Sequence, residues 1–293
     1  MMNKTDFLLK LKLQKGIGYV KMLQIASKLD TEEIDPIQID SMDLPLKIRE
    51  LCLKAYRNDK SDLAVERIKS QCTIISFFDD EYPEQLRQIY QPPLVLFARG
   101  DVSLLKQNIV TIVGARLATT YSRQVINQIV PNLINDNIVI ASGLAKGVDS
   151  FAHQAALKNN GKTIAVVGNG LNHYYPVQNH TLQDEIINKG LLISEYLPDT
   201  PPRPFRFPER NRILAGLSQS VIVTEAKEKS GSLITANIAL QENRDVYAVP
   251  GPITSRLSDG PNKLIEIGAS PIINFEIPKE RFDNSDHNTL FSD

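Results

Sequence analysis

Only two cysteines, Cys52 and Cys72, occur among the 293 residues. That is no disulfide framework, and it makes a reducing, cytoplasmic setting the default. No apolar run is long enough to cross a bilayer, and the N-terminus lacks the apolar core of a signal peptide, so no membrane partner is expected. Charge of either sign is not in excess: Lys and Arg number 33 and Asp and Glu 34, a formal net charge of −1. Bulk charge therefore cannot coat long duplex DNA, and any nucleic-acid binding must come from a local cluster. Chemical signatures are missing as well. There is no P-loop, no zinc-ligand spacing and no Ser–His–Asp set on a nucleophile elbow. GxGxxG is absent where a dinucleotide fold needs it, the turn after the first strand reading GARLATTYS over 114–122. No catalytic residue, metal ligand or cofactor is expected.

What is present is an ordinary globular composition, 42% hydrophobic and 23% charged. The length suits one large α/β unit and a smaller partner. Residues 5–29 are helical in pattern, broken at Gly16-Ile17-Gly18. This is either a helix-hairpin-helix, which binds DNA backbone through its N–H groups, or a plain αα-hairpin. Asp35-Pro36 and 43–45 read as breaks, with helices resuming at Leu46–Tyr56 and Asp62–Ser70. From residue 71 the period changes. Strands are predicted at Thr73–Phe78 and Leu94–Ala98, with a short helix at Tyr82–Ile89 between them. Six more follow at Ile109–Gly114, Ile138–Ser142, Thr163–Gly168, Leu191–Glu195, Val221–Glu225 and Val246–Val249. Helices alternate with them, Asn211–Leu217 among these. Apolar strands alternating with helices mean a mostly parallel sheet covered on both faces. The expected division is a helical unit at 1–70, an α/β unit at 71–277 and a polar tail at 278–293.

Right-handed crossovers bring every strand-to-helix loop to one edge of such a sheet, the edge where open α/β folds bind ligands. The loop at 227–232 carries the clearest chemistry. Ser230-Gly231-Ser232 combines two hydroxyls and a flexible backbone with the start of a helix, whose unpaired N–H groups and positive dipole end hold anions. Upstream stand Arg203, Arg206, Arg210 and Arg212, interleaved with Phe205 and Phe207. Gly114-Ala115-Arg116 and Ser142–Asp149, with Gly143 and Lys146, repeat the scheme of glycine, hydroxyl and cation. Asp149 complements its helix dipole, and His153, one turn on, is expected to contact it structurally. His173, Tyr174 and Tyr175 either stack on bases or cover the sheet edge. The recurring theme holds phosphates and breaks no bonds.

Together these segments resemble the DNA-processing protein A family (DprA, also called Smf). The resemblance rests on GAR at 114–116, SGLAKGVDSFAH at 142–153, FPERNRILAGLS at 207–218, EAKEKSGSLITA at 225–236 and VPG at 249–251. FDDEYPEQL at 78–86 and GPNKLIEIGA at 260–269 fit too, so it spans about 78–270. It implies a small helical N-terminal domain, sterile-alpha-motif-like or helix-hairpin-helix-like, before an extended Rossmann-like domain. It also implies a cofactor-free homodimer that binds and protects single-stranded DNA and loads RecA on it in natural transformation, with single-strand binding protein a further partner. The resulting candidate DNA- and phosphate-binding set is Gly114, Arg116, Ser142, Gly143, Lys146, Arg206, Phe207, Arg210, Asn211, Ser230, Gly231 and Ser232. Ala115 stands where the family usually has Ser, and Val177 where many relatives carry Lys. The chain length leaves no room for the winged-helix domain some relatives append. The competing reading is a Rossmann-type nucleotide enzyme, such as a nucleoside-monophosphate phosphoribohydrolase, with Glu195 and Glu225 as strand-end acids.

Overall fold

The computed structural model describes residues 1–278, so the polar tail expected after Pro278 lies outside the described residues. The chain opens with a two-residue strand, β1 (Met2–Asn3), paired antiparallel with β2 (Glu33–Ile34). On that pair packs α1 (Lys4–Leu13), with α2 (Tyr19–Ala26), α4 (Leu46–Tyr56) and α5 (Asp59–Lys69) against α1 and α3 (Pro36–Ser41) against α4. The break at Gly16-Ile17-Gly18 falls where expected, Gly16 taking φ +90°, a conformation that favours glycine. Asp35-Pro36, read as a break, instead starts α3. The Asp35 carboxylate accepts from Gln38 N at 2.8 Å while the Gln38 side chain takes the Asp35 N–H, a capping box. Proline at the first helical position loses nothing, because that N–H has no intrahelical partner.

The sheet begins with β3 (Thr73–Ser76), α6 (Glu84–Arg87) and β4 (Val95–Gly100). The alternating run then follows: β5 (Ile109–Val113), α7 (Thr120–Asn135), β6 (Val139–Ser142), α8 (Val148–Lys158), β7 (Thr163–Val166), α9 (His180–Lys189) and β8 (Leu191–Ser194). It closes with α10 (Arg206–Leu217), β9 (Ser220–Val223), α11 (Gly231–Gln241), β10 (Asp245–Ala248), α12 (Asp259–Glu266) and β11 (Ser270–Pro271). Nine strands form one sheet in the order β11-β10-β9-β5-β6-β7-β8-β4-β3. All neighbours are parallel except β4, antiparallel to both β8 and β3. This is the expected α/β class, a mostly parallel Rossmann-like sheet with helices on both faces. Because β6 and β9 leave β5 on opposite sides, the β5–β9 boundary is the topological switch point, where such folds open a crevice.

Apolar packing follows from the strand faces. Val113, Val221 and Val223 meet Ile213 and Leu214 of α10 and Ala236 and Ala239 of α11. Val110, Ile112 and Ile222 meet α7 and α8 on the other face. Phe7, Leu8 and Leu11 of α1 share a third cluster with Phe97 of β4, Ala165 of β7 and Leu192 of β8. The N-terminal helices thus share a core with the sheet. Among the described residues, no helix is long and apolar enough to cross a membrane, and no group of three or more His, Cys, Asp or Glu could hold a metal ion.

Candidate nucleic-acid interface

At the switch point the turns after β5 and β9 enclose a cleft of about 410 Å³ with the first turn of α10 on its rim. Gly114 makes the close approach possible: a Cβ there would meet Val148 Cγ2 at 2.5 Å and Glu225 O at 2.9 Å. Ser230 is the N-cap of α11 but makes no side-chain capping bond, and its Oγ is buried without a partner. The neighbouring groups are spent on shape. Ser232 Oγ donates to Gly114 O at 2.8 Å, and Asn211 Nδ2 donates to Gly231 O at 3.1 Å. The loop is pinned from both sides, with the orphan N–H groups of the first helical turn beside the cleft. The Asn211 side chain, named as a candidate ligand, is therefore spent on holding the 227–232 loop in place. Lys227 and Lys229 also line the cleft and are exposed; they fell outside the sequence-predicted set although their loop was recognised.

Arg116 projects from the turn after β5. It is exposed, makes no hydrogen bond or ion pair among the described residues, and holds its guanidinium 5.8 Å from the centre of the Phe207 ring. Phe207 in turn stacks on Tyr175, centroids 5.1 Å apart and planes 24° from parallel. Cation, phenyl and phenol form a column beside the cleft, brought together by the turn after β5, the first turn of α10 and the loop before α9. Of the aromatic triplet, Tyr175 faces this column, while Tyr174 OH donates to Asp184 and the His173 ring pairs with Asp199 O. Phe207 owes its place to a helix that starts earlier than predicted. Asn211–Leu217 is only the end of α10, which begins at Arg206, and Pro208 sits in its first turn where no N–H is needed.

Four predicted phosphate ligands are redirected by the fold. Ser142 is fully buried, and its Oγ donates to Ile112 O at 2.7 Å. The Gly143 N–H donates to Asp149 Oδ2 at 3.1 Å, as the Ala145 N–H does at 3.3 Å. Arg210 is only 5% exposed; its guanidinium donates to the carbonyls of Gly143 and Val166, and burial pulls its pKa down to about 10. Arg206 folds back on its own loop, donating to Pro201 O with its guanidinium over the Tyr196 and Phe205 rings. Lys146 is exposed without a partner among the described residues. Burial raises the Asp149 pKa, against the opposing pull of Arg210. Residue 143 couples the two, its N–H given to Asp149 and its carbonyl taken by Arg210.

The expected Asp149–His153 contact is not made. His153 is fully buried, and its Nδ1 lies 2.7 Å from Thr163 Oγ1. That hydroxyl donates to Ile140 O, so it accepts from Nδ1–H, and Nε2 is left bare. Burial, reinforced by Arg210, lowers the His153 pKa from 6.5 to about 3. The unfolded chain binds a proton near 6.5 and the folded one resists it, so stability held above that pH drains as pH falls toward 3. Between pH 7 and pH 5, urea unfolding should show the wild type losing about 2 kcal/mol more than His153→Asn; equal losses would place the imidazole in water.

The two strand-end acids are also committed. Glu225 is buried and accepts from Thr119 N and Oγ1, both at 2.7 Å, and from Ser122 Oγ at 2.8 Å. Glu195 forms a two-pronged ion pair with Arg212, at 2.9 and 2.6 Å. Neither carboxylate faces the cleft as a free acid. What the cleft offers is unpaired cation, helix N-terminus and stacked ring.

Fold and site together define an α/β protein of Rossmann-like class with a cleft lined by cations and an aromatic ring at its switch point. Residues 73–281 match the family model of DNA recombination-mediator protein A. The chain belongs to that family. It is 50% identical over 194 residues to DNA processing protein DprA of Streptococcus pneumoniae, covering 66% of this chain and 68% of the relative. With DprA of Bacillus subtilis the identity is 47%, over 66% and 65% of the two chains. With Smf of Escherichia coli it is 42%, over 64% of this chain but half of the relative. The solved structure of S. pneumoniae DNA processing protein A superimposes with a TM-score of 0.82 at 40% identity, covering 92% and 95% of the chains. That of the Helicobacter pylori protein, described for its single-stranded DNA binding mode, gives 0.64 at 34% identity over 70% and 94%.

Proposed function

We propose that this chain is a single-stranded-DNA-binding recombination mediator that protects incoming strands and loads RecA on them. The carrying observation is the column of Arg116, Phe207 and Tyr175, of which Arg116 and Phe207 line the same cleft as the N-terminus of α11. Free cations and orphan amides take phosphates, while rings accept any base, the combination that binds single strands without a sequence code. Family membership and the single-stranded DNA binding described for the H. pylori relative support the same reading. The protein acts in the cytoplasm as a homodimer, with RecA and single-strand binding protein as partners and no membrane. The nucleotide-hydrolase reading loses its motivation once Glu195 and Glu225 are engaged elsewhere. The helical unit at 1–70 and the α/β unit at 71–277 act as one body in this role.

Fluorescence anisotropy of labelled single-stranded and duplex DNA at roughly 50 and 200 mM salt tests it. The single strand is expected to bind more tightly, with steep salt dependence. Arg116→Ala should lower the log–log salt slope by about 0.7, one phosphate contact. Binding indifferent to strand form and salt would defeat the proposal, and an unchanged slope would remove Arg116 from the site.

A further inference from the structure

A cavity of about 790 Å³ lies in the seam between the N-terminal helices and the sheet, walled by α1, α2, the residues before β4, the turn after β8, α10 and α11. We propose that Lys12, which lines this cavity from α1, is a site of acylation by a small acyl phosphate.

Two lysines of α1 meet different fates. Two positions along a helix turn a side chain by about 200°, so Lys10 and Lys12 leave on nearly opposite faces. Lys10 is buried, and its Nζ donates to Asp62 Oδ1 and to Tyr56 O, both at 2.7 Å. Lys12 is half-buried, and its amine makes no hydrogen bond or ion pair among the described residues. The acids at the cavity are spent on other partners. Glu195 holds Arg212 by both oxygens, at 2.9 and 2.6 Å. Glu209 accepts from Tyr196 OH at 2.7 Å, and Glu242 accepts from Tyr90 N at 2.9 Å. Tyr19 OH donates to Pro92 O at 3.0 Å, and the Tyr90 side chain is exposed. No carboxylate holds the proton on Lys12 by direct contact.

Burial lowers the Lys12 pKa, with Glu195 opposing the shift and Arg212 adding to it. More of this amine is neutral near pH 7 than of a lysine in water, and only the neutral form has the lone pair that attacks. Nζ adds to the acyl carbon, the bond from that carbon to the phosphate oxygen breaks, and inorganic phosphate leaves with the electron pair. The nitrogen gives its proton to water and becomes a neutral amide. A half-buried amine suits a small diffusible donor better than the active site of another enzyme, and the cavity has the volume of a small-molecule site.

The test adds acetyl phosphate to the full chain near neutral pH. Acetylation of each lysine is followed by mass spectrometry after cleavage at glutamate. Native Lys12 should be acetylated several-fold faster than the exposed Lys47 and Lys158, and the excess should vanish in urea, where the cavity is lost. As pH rises, its rate should level off below about 10.4, the ordinary lysine value. A native Lys12 rate no greater than that of Lys158 overturns the proposal. An excess that persists in urea also overturns it, because the local sequence and not the cavity would then be the cause. So does a rate that climbs through the ordinary lysine range without levelling. None of these outcomes depends on DNA binding.

Discussion

Replacing Arg210 by methionine is expected to lower the unfolding free energy by about 3–5 kcal/mol. The guanidinium is buried, donates to the carbonyls of Gly143 and Val166, and offsets the charge of the buried Asp149. Methionine keeps most of the volume, so the loss is not a cavity effect. It comes from buried carbonyl oxygens without donors and a buried carboxylate without its cation. The readout is a lower urea midpoint at an unchanged slope. Adding Asp149→Asn should recover part of the loss, because the two groups share one network and their effects are not additive. A midpoint that does not move would mean the guanidinium lies in solvent, and would return Arg210 to the phosphate ligands.

Truncating Phe207 to alanine should cost about 1–3 kcal/mol of single-strand affinity, roughly 5- to 150-fold. The ring is half-buried and stacked on Tyr175, so its removal deprives an incoming base of the middle of the column. No phosphate contact goes with it, so the salt slope should hold while the affinity falls, the reverse of the pattern expected for Arg116→Ala. Melting should shift far less than for the Arg210 variant. A large drop in melting temperature with intact affinity would identify the ring as a packing element.

The parallel sheet was legible because its strands are short apolar runs between turn signals, a pattern that burial on both faces imposes. The location of the cleft was legible as well, since handedness brings all the strand-to-helix loops to one edge. The prolines misled. Pro36 read as a break and the stretch before Asn211, which holds Pro208, was left outside the helix, yet each proline lies in the first turn of a helix, where it removes an N–H that has no partner anyway. The same misreading hid the start of α10 and hence the setting of Phe207. Side-chain direction was the other failure. Ser142, Arg206 and Arg210 occupy loops or helix starts that suit a phosphate ligand, but a strand-end hydroxyl can turn inward as easily as outward. Nothing local tells Arg210 that the carbonyl of residue 143, far away in the chain, lies within its reach. The Tyr175–Phe207 stack is likewise a long-range product.

The place of β4 in the sheet has a consequence for how the chain is made. β4 is held between β3 and β8, and β8 lies beyond three further strands in sequence. When β4 leaves the ribosome, Phe97 and the apolar faces of α1 lack part of their eventual cluster, since Ala165 and Leu192 have yet to be synthesised. The first hundred or so residues must therefore wait, partly assembled, until the other edge of the ladder arrives. In a growing polypeptide that interval is when the N-terminal helices are open to chaperones and to wrong partners.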